Sequence, residues 1–202
     1  MSMFKSKSNA GISDASAAQA AHQLEIEALD KELLISMLCE ARGITPMTRA
    51  EARIAASYMR ARQYADNQIL IKEGDKTDSD YMLWILHGEA VVESLPTSDS
   101  APITVTVLGP GTTVGELSLM DGGPRSLTCT ASGDTRCAAL TQRMLQRMAQ
   151  EHPEVAIKVI SSVFIGVTVR MRDLTEKLKR FVRLNQTMND ALLETTIMQV
   201  LR

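Results

Sequence analysis

The sequence predicts a mainly β domain: a closed or sandwiched antiparallel sheet with helices before it and one long helix after it. Three observations carry this. From about Gln68 to Ala139 the chain breaks into short β-rich runs divided by turn residues. Ahead of that stretch, apolar residues recur at helical spacing. Behind it, they recur in unbroken steps of four and three from Ile160 to Leu192.

Residues 1–23 are rich in Ser and Ala and are expected to form a disordered leader. Leu24 to Ala41 carries Leu29, Leu33, Leu34, Met37, Leu38 and Ala41 at helical spacing, with Gly43 placed to stop the helix and Pro46 beyond it. Thr48 followed by Glu51 is a capping box, predicting a second helix from about Arg49 to Arg62 with Ala50, Ile54, Ala55, Tyr58 and Met59 inward. Strands are expected over Ile69–Ile71, Tyr81–Leu86, Glu89–Leu95, Ile103–Leu108, Leu127–Ala131 and Arg136–Leu140. The dividers include His87-Gly88, Gly109-Pro110-Gly111 and Ser132-Gly133-Asp134. Gln142 to Ala149 reads as a short helix, and Pro153 opens the long one. The chain thus divides into a leader (1–23), a helix-plus-barrel domain (24–152) and a C-terminal helix (153–202).

In the long helix, Ile160, Phe164, Val167, Met171, Leu174, Leu178, Phe181, Asn185, Met188 and Leu192 form a heptad seam. It would extend roughly 50 Å, too far to rest on its own barrel alone. A homodimer through residues 160–192 is therefore expected, the seam itself leaving open a parallel pair or a helix folded back on its own barrel. Asn185 on the seam either pairs with its copy to fix register or marks a wet, frayed end. Arg170, Arg172, Lys177, Lys179, Arg180 and Arg183 lie off the seam, with Asp173 and Glu176 among them. They read as a solvated flank; the alternative is a surface for DNA or an acidic partner.

Several function classes are disfavoured. The net charge of -2 argues against a general nucleic-acid binder, so direct DNA binding is not expected. No apolar run is long enough to cross a membrane. Cys39, Cys129 and Cys137 have no metal-like spacing and fit a reducing, cytoplasmic setting. His22, His87 and His152 are scattered, and no nucleophile elbow, Walker-type loop or metal cluster accompanies them, so no catalysis is expected. Asp75, Asp78 and Asp80 lack the rest of a calcium loop and read as a solvated turn.

The segment Gly115-Glu-Leu-Ser-Leu-Met-Asp-Gly-Gly-Pro-Arg-Ser126 stands apart. Glu116 can accept from a sugar hydroxyl. Arg125 offers a planar fork for two phosphate oxygens. Gly115 allows close backbone approach, backbone N–H groups after it face an anion, and Ser126 adds a donor. Gly122 and Gly123 let the loop turn back, and Pro124 stiffens the approach to Arg125.

This segment resembles the phosphate-binding cassette of cyclic-nucleotide-binding domains, the module of bacterial catabolite activators and cyclic-nucleotide-dependent kinases. Ile71-Lys-Glu-Gly-Asp75, Ile85-Leu-His-Gly88, Val107-Leu-Gly-Pro-Gly111 and Glu151-His-Pro-Glu154 resemble the family's other landmarks, in its order and at its spacing. The resemblance covers about Met47 to Leu178. It implies a cyclic-nucleotide-binding β-roll, a jelly-roll-like barrel, with Gly115, Glu116, Leu117, Ser118, Pro124, Arg125 and Ser126 binding the ligand. Aligning the long helix places Leu174 and Thr175 nearest the base, with Thr175 as its bonding partner or, equally, an exposed threonine beside the seam. The implied ligand is a cyclic nucleotide, cAMP by default, with cGMP or cyclic di-GMP as alternatives. The implied function is a dimeric sensor signalling to an unknown protein partner; a degenerate barrel, with Glu116 and Arg125 merely paired, would instead be a scaffold. Three positions depart from the family pattern: Asn67 for glycine, Val114 for an aromatic residue, and Leu127 for a small residue beside the phosphate strand. Activator-type relatives continue into a helix-turn-helix, which the residues after Leu192 are too few to form.

Overall fold

The structure, a computed structural model, describes residues 27–76, 80–94 and 103–200, with side chains as far as residue 189. The expected leader and the side chain of the seam residue Leu192 lie outside what it describes. A first helix, α1, covers residues 27–40. Then follow α2 (Arg49–Ser57), β1 (Arg60–Tyr64), β2 (Ile69–Ile71), β3 (Tyr81–Ser94), β4 (Ile103–Leu108), β5 (Thr113–Val114), α3 (Glu116–Asp121), β6 (Thr128–Thr141), α4 (Gln142–Glu151) and α5 (Pro153–Val200). The strands form one antiparallel sheet in the order β1-β6-β3-β4, with β2 on β6 and β5 on β3. The sheet curls over its own apolar face without closing, a β-roll flanked by helices.

β3 shows why the roll is stable on both sides. Tyr81, Leu83 and Ile85 enter the interior of the roll with Val92, Val114 and Cys129. Met82, Trp84 and Leu86 face the helices, against Leu38, Ala55 and Val159. A strand alternates its side chains between faces, so an unbroken apolar run at Tyr81–Leu86 serves two cores at once.

Four sequence expectations are corrected. The sheet does not close. The runs expected as separate strands are halves of single 14-residue strands, β3 and β6. The chain bends at Gly88 (φ 77°) rather than ending, because a Cβ there would lie 2.5 Å from the Asp134 carbonyl oxygen of β6. The ladder shifts register on both sides of His87, and Thr135 donates to the Glu89 carbonyl oxygen at 3.0 Å. Next, α2 stops at Ser57 rather than at about Arg62, and Arg60–Tyr64 is edge strand β1 on β6. Its polar residues have no strand signature; pairing with β6 overrides local propensity. Lastly, α1 is rotated from its predicted face. Leu34, Ile35 and Leu38 are buried, while Leu29 and Leu33 stay exposed. The buried Asp30 on the inward stripe pairs with Arg136 of β6 at 2.7 Å, which favours this rotation.

The capping box at Thr48 forms as expected: the Glu51 N–H donates to Thr48 Oγ1 at 3.3 Å and the Thr48 N–H to Glu51 Oε2 at 2.8 Å. Glu51 also receives Lys158 of α5, Nζ to Oε1 at 2.7 Å, so the cap roots α5 on α2. Bonding to Lys158 first, and to Thr48 second, draws the Glu51 carboxyl down from 4.5 to about 2. A carboxyl depressed in the fold adds stability above its ordinary pKa and loses it as pH falls through the depressed one. Lys158→Met should therefore lower the melting temperature by a few degrees at neutral pH. The gap between variant and wild type should shrink between pH 4.5 and about 2. Thermal melts across that range check it; a gap that stays constant refutes the ion pair as its source.

Candidate functional site

β5 runs directly into α3, and Gly115 is the joint. It sits in the left-handed region at φ 79°, and a Cβ would lie 2.5 Å from Arg125 Nη1 and 2.7 Å from Ile71 Cδ1. Glycine is required there for both its torsion and its lack of side chain. The six-residue α3 ends at Gly122, also left-handed, which turns the chain back toward the roll. Arg125 is then tied at its backbone to the turn after β2. Its N–H donates to the Asp75 carbonyl oxygen at 3.0 Å, and the Gly74 N–H donates to its own carbonyl at 2.8 Å.

These ties deliver the Arg125 side chain into the interior, where it is 2% exposed. Nη1 donates to the Gly115 carbonyl oxygen at 3.0 Å and to Ser118 Oγ at 3.3 Å. The guanidinium carbon lies 4.6 Å from the centroid of the Tyr81 ring. Glu116, also buried, pairs not with Arg125 but with Arg170 of α5, Oε1 to Nη2. Its other oxygen, Oε2, is buried without a hydrogen-bond partner. Such an atom is costly unless something donates to it.

Between these groups lies a cavity of about 220 Å³. Gly115, Glu116, Leu117, Ser118, Arg125 and Ser126 line its cassette end. Its wall is apolar, formed by Val92, Val105, Leu108, Leu127 and Cys129, and Val167, Met171 and Leu174 of α5 roof it. Burial, with Glu116 a lesser contributor, pushes the Cys129 thiol up to about 12, so it stays neutral and serves as wall rather than nucleophile. Leu127 both lines the cavity and packs on the inner core; it narrows the space without filling it.

Six of the eight residues singled out from the sequence therefore meet at one cavity. Pro124 is exposed and lies off it. Thr175 lies off it too: its hydroxyl donates to the Met171 carbonyl oxygen at 2.9 Å, back into its own helix. Leu174, one residue earlier, faces the cavity instead. Sequence reading missed Arg170, which it grouped with the solvated basic flank. No local pattern marks Arg170, since its partner is 54 residues away. Two of its neighbours on that flank pair within α5, Lys177 with Asp173 at 2.8 Å and Lys179 with Glu176 at 2.7 Å. Among the described residues no helix is long and apolar enough to cross a membrane.

A family model described as the cyclic nucleotide-binding domain matches residues 61–152. Over 87 residues the chain is 31% identical to a cAMP-dependent protein kinase regulatory subunit of Dictyostelium discoideum, a match covering 42% of this chain and 26% of that one. Over 116 residues it is 33% identical to lysophospholipase nte1 of Aspergillus oryzae, covering 56% of this chain but 7% of the enzyme. The chain thus spans a small part of the curated relatives it matches. A crystal structure of a cyclic nucleotide-binding domain from Methylobacillus flagellatus superposes with a TM-score of 0.67 at 28% identity, covering 73% of this chain and 81% of that one. Residues 61–152, which hold the cassette and the buried arginine, match the cyclic nucleotide-binding domain family in sequence and in fold.

Proposed function

We propose that the cavity binds a cyclic nucleoside monophosphate, with cAMP the expected ligand, and that occupancy is signalled through α5 of a homodimer to a protein partner. The observation that carries this is the opposition of two buried groups across one apolar cavity. Arg125 supplies a cation at one point, and the unpartnered Glu116 Oε2 supplies an acceptor at another. The residues fit the ligand. Its phosphodiester would take the Arg125 fork and the free N–H groups of the first turn of α3. Its ribose 2′-hydroxyl would donate to Glu116 Oε2. Its base would lie on the apolar wall beneath Met171 and Leu174. The pairing of Glu116 with Arg170, not Arg125, counts against a degenerate barrel in which those two residues merely neutralise each other.

Arg170 gives the ligand a route to α5. A hydroxyl bound at Oε2 adds to the same carboxylate that holds Arg170 at Oε1, so filling the cavity favours the docked helix. Ligand can shift α5 only by as much as it prefers that docked state. The dimer expectation draws support from the seam. Phe164, Met171, Leu178, Phe181 and Met188 are each at least 60% exposed in the single chain, an apolar stripe of the kind that marks an interface.

Calorimetric titration with cAMP, cGMP and cyclic di-GMP should give saturable binding of one cyclic mononucleotide. Arg125→Ala, checked for folding by circular dichroism, should weaken it by about a hundredfold or more. Binding unchanged in that variant, or absent from folded wild type, refutes the assignment. Cyclic 2′-deoxyadenosine monophosphate should bind about tenfold or more weakly than cAMP, because it leaves Glu116 Oε2 without its donor; equal affinity would remove Glu116 from the ribose. In sedimentation velocity the wild-type chain should run as a dimer, and the double variant Leu178→Asp, Phe181→Asp as a monomer that still binds nucleotide.

A further inference from the structure

Arg125 does not stand alone on Tyr81. The guanidinium carbon of Arg62, on β1, lies 4.3 Å from the centroid of the same ring that Arg125 approaches at 4.6 Å. We propose that Tyr81 is a positioning residue for the anion site: its ring holds the Arg125 guanidinium in place before ligand arrives, with Arg62 as a second, outer cation on the same ring. This rests on Arg125 as the phosphate-binding group.

The ring is itself immobilised. Tyr81 is 3% exposed and opens β3, where its backbone registers with Thr141 of β6. Its hydroxyl donates to the Leu70 carbonyl oxygen of β2 at 2.9 Å. The cassette also packs on its backbone, since a Cβ on Gly115 would lie 3.1 Å from the Tyr81 carbonyl oxygen. A ring fixed by β2, β3 and β6 is a rigid platform for the planar Arg125 guanidinium. The hydrogen bonds from Nη1 to Gly115 and Ser118 hold one corner of the guanidinium; the electron-rich face of the ring orients its plane.

Arg62 differs from Arg125 in being exposed. Two guanidiniums on one ring lie within about a Debye length of each other. Two cations beside one ring favour an anionic ligand over a neutral nucleoside. Preorganised charge of this kind needs little rearrangement at the moment of binding.

The test uses the whole chain, cAMP titration, and the side-chain Nε–Hε resonance of Arg125. Tyr81→Phe should bind within about twofold of wild type, because the face survives; Tyr81→Leu should bind about tenfold more weakly. Pentafluorophenylalanine at position 81 keeps the shape and reverses the ring's field, so it should also weaken binding several-fold, and it serves if the leucine variant fails to fold. Arg62→Gln should weaken binding a few-fold and flatten its salt dependence. In free wild type the Arg125 resonance should be ring-shifted, and it should lose that shift in Tyr81→Leu. An unshifted resonance, or a fluorinated ring that binds like phenylalanine, overturns the proposal. A shifted resonance in a chain that binds no nucleotide would sustain the stack while refuting the phosphate role of Arg125, so the two failures are separable.

Discussion

A guanidinium buried in the interior of an apolar β-roll is the constraint on which this structure turns. Taking a charge out of water is costly unless dipoles, rings or counter-charges replace the solvent. Around the Arg125 guanidinium that replacement includes the Gly115 carbonyl and Ser118 hydroxyl of the cassette and the Tyr81 ring of β3, while the 74–75 turn holds its backbone. Each supplier is itself held by something else. Gly115 can approach only because it lacks a Cβ. Ser118 is placed by a one-and-a-half-turn helix bounded by two left-handed glycines. Tyr81 is fixed by a hydrogen bond to β2. A buried charge solvated by rigid groups is a poor way to gain stability and a good way to hold an anion site ready.

Glu116 completes the logic at the other side of the cavity. On the proposed reading it divides its carboxylate between structure and ligand: Oε1 holds Arg170, and Oε2, buried without a hydrogen-bond partner, would accept from the ligand. Because Arg170 belongs to α5, the same carboxylate touches both the ligand space and the element that leaves the domain.

α5 is tied at two points of very different character. At its root, Val155, Val159 and Val163 are packed in the helical core, and Lys158 is bound to the cap of α2. Farther along, the contact narrows to the roof of the cavity and the Arg170 ion pair. Beyond that, Leu178 and Phe181 stand in solvent in the single chain. At about 1.5 Å per residue the helix reaches about 70 Å, so a small change in seating over the cavity becomes a large displacement at its far end. A strong root, a narrow middle contact and an exposed stretch beyond it are what the proposed signalling through α5 would require.

How much of this was legible beforehand depended on whether the interaction was local. The cassette announced itself because its chemistry is packed into twelve consecutive residues, Gly115 to Ser126, and the capping box at Thr48 and Glu51 because both partners lie within one turn. The heptad steps along α5 are equally local, and so are the β-rich runs that made the halves of β3 and β6 readable as strand. What only the tertiary structure decided were the pairings between distant segments. Strand β1 exists because β6 lies beside it, not because Arg60–Tyr64 favours extension. Gly88 bends a strand instead of ending one because Asp134 crowds it. Thr175 yields the cavity to Leu174 by the rotation of α5, an angle that a repeat of four and three leaves unspecified. Arg170 and Tyr81, the two residues that complete the site, carry no mark in sequence: one meets its carboxylate across 54 residues and the other its guanidiniums across three strands. Periodicity fixes which residues share a face, but burial, register and long-range charge decide what that face meets.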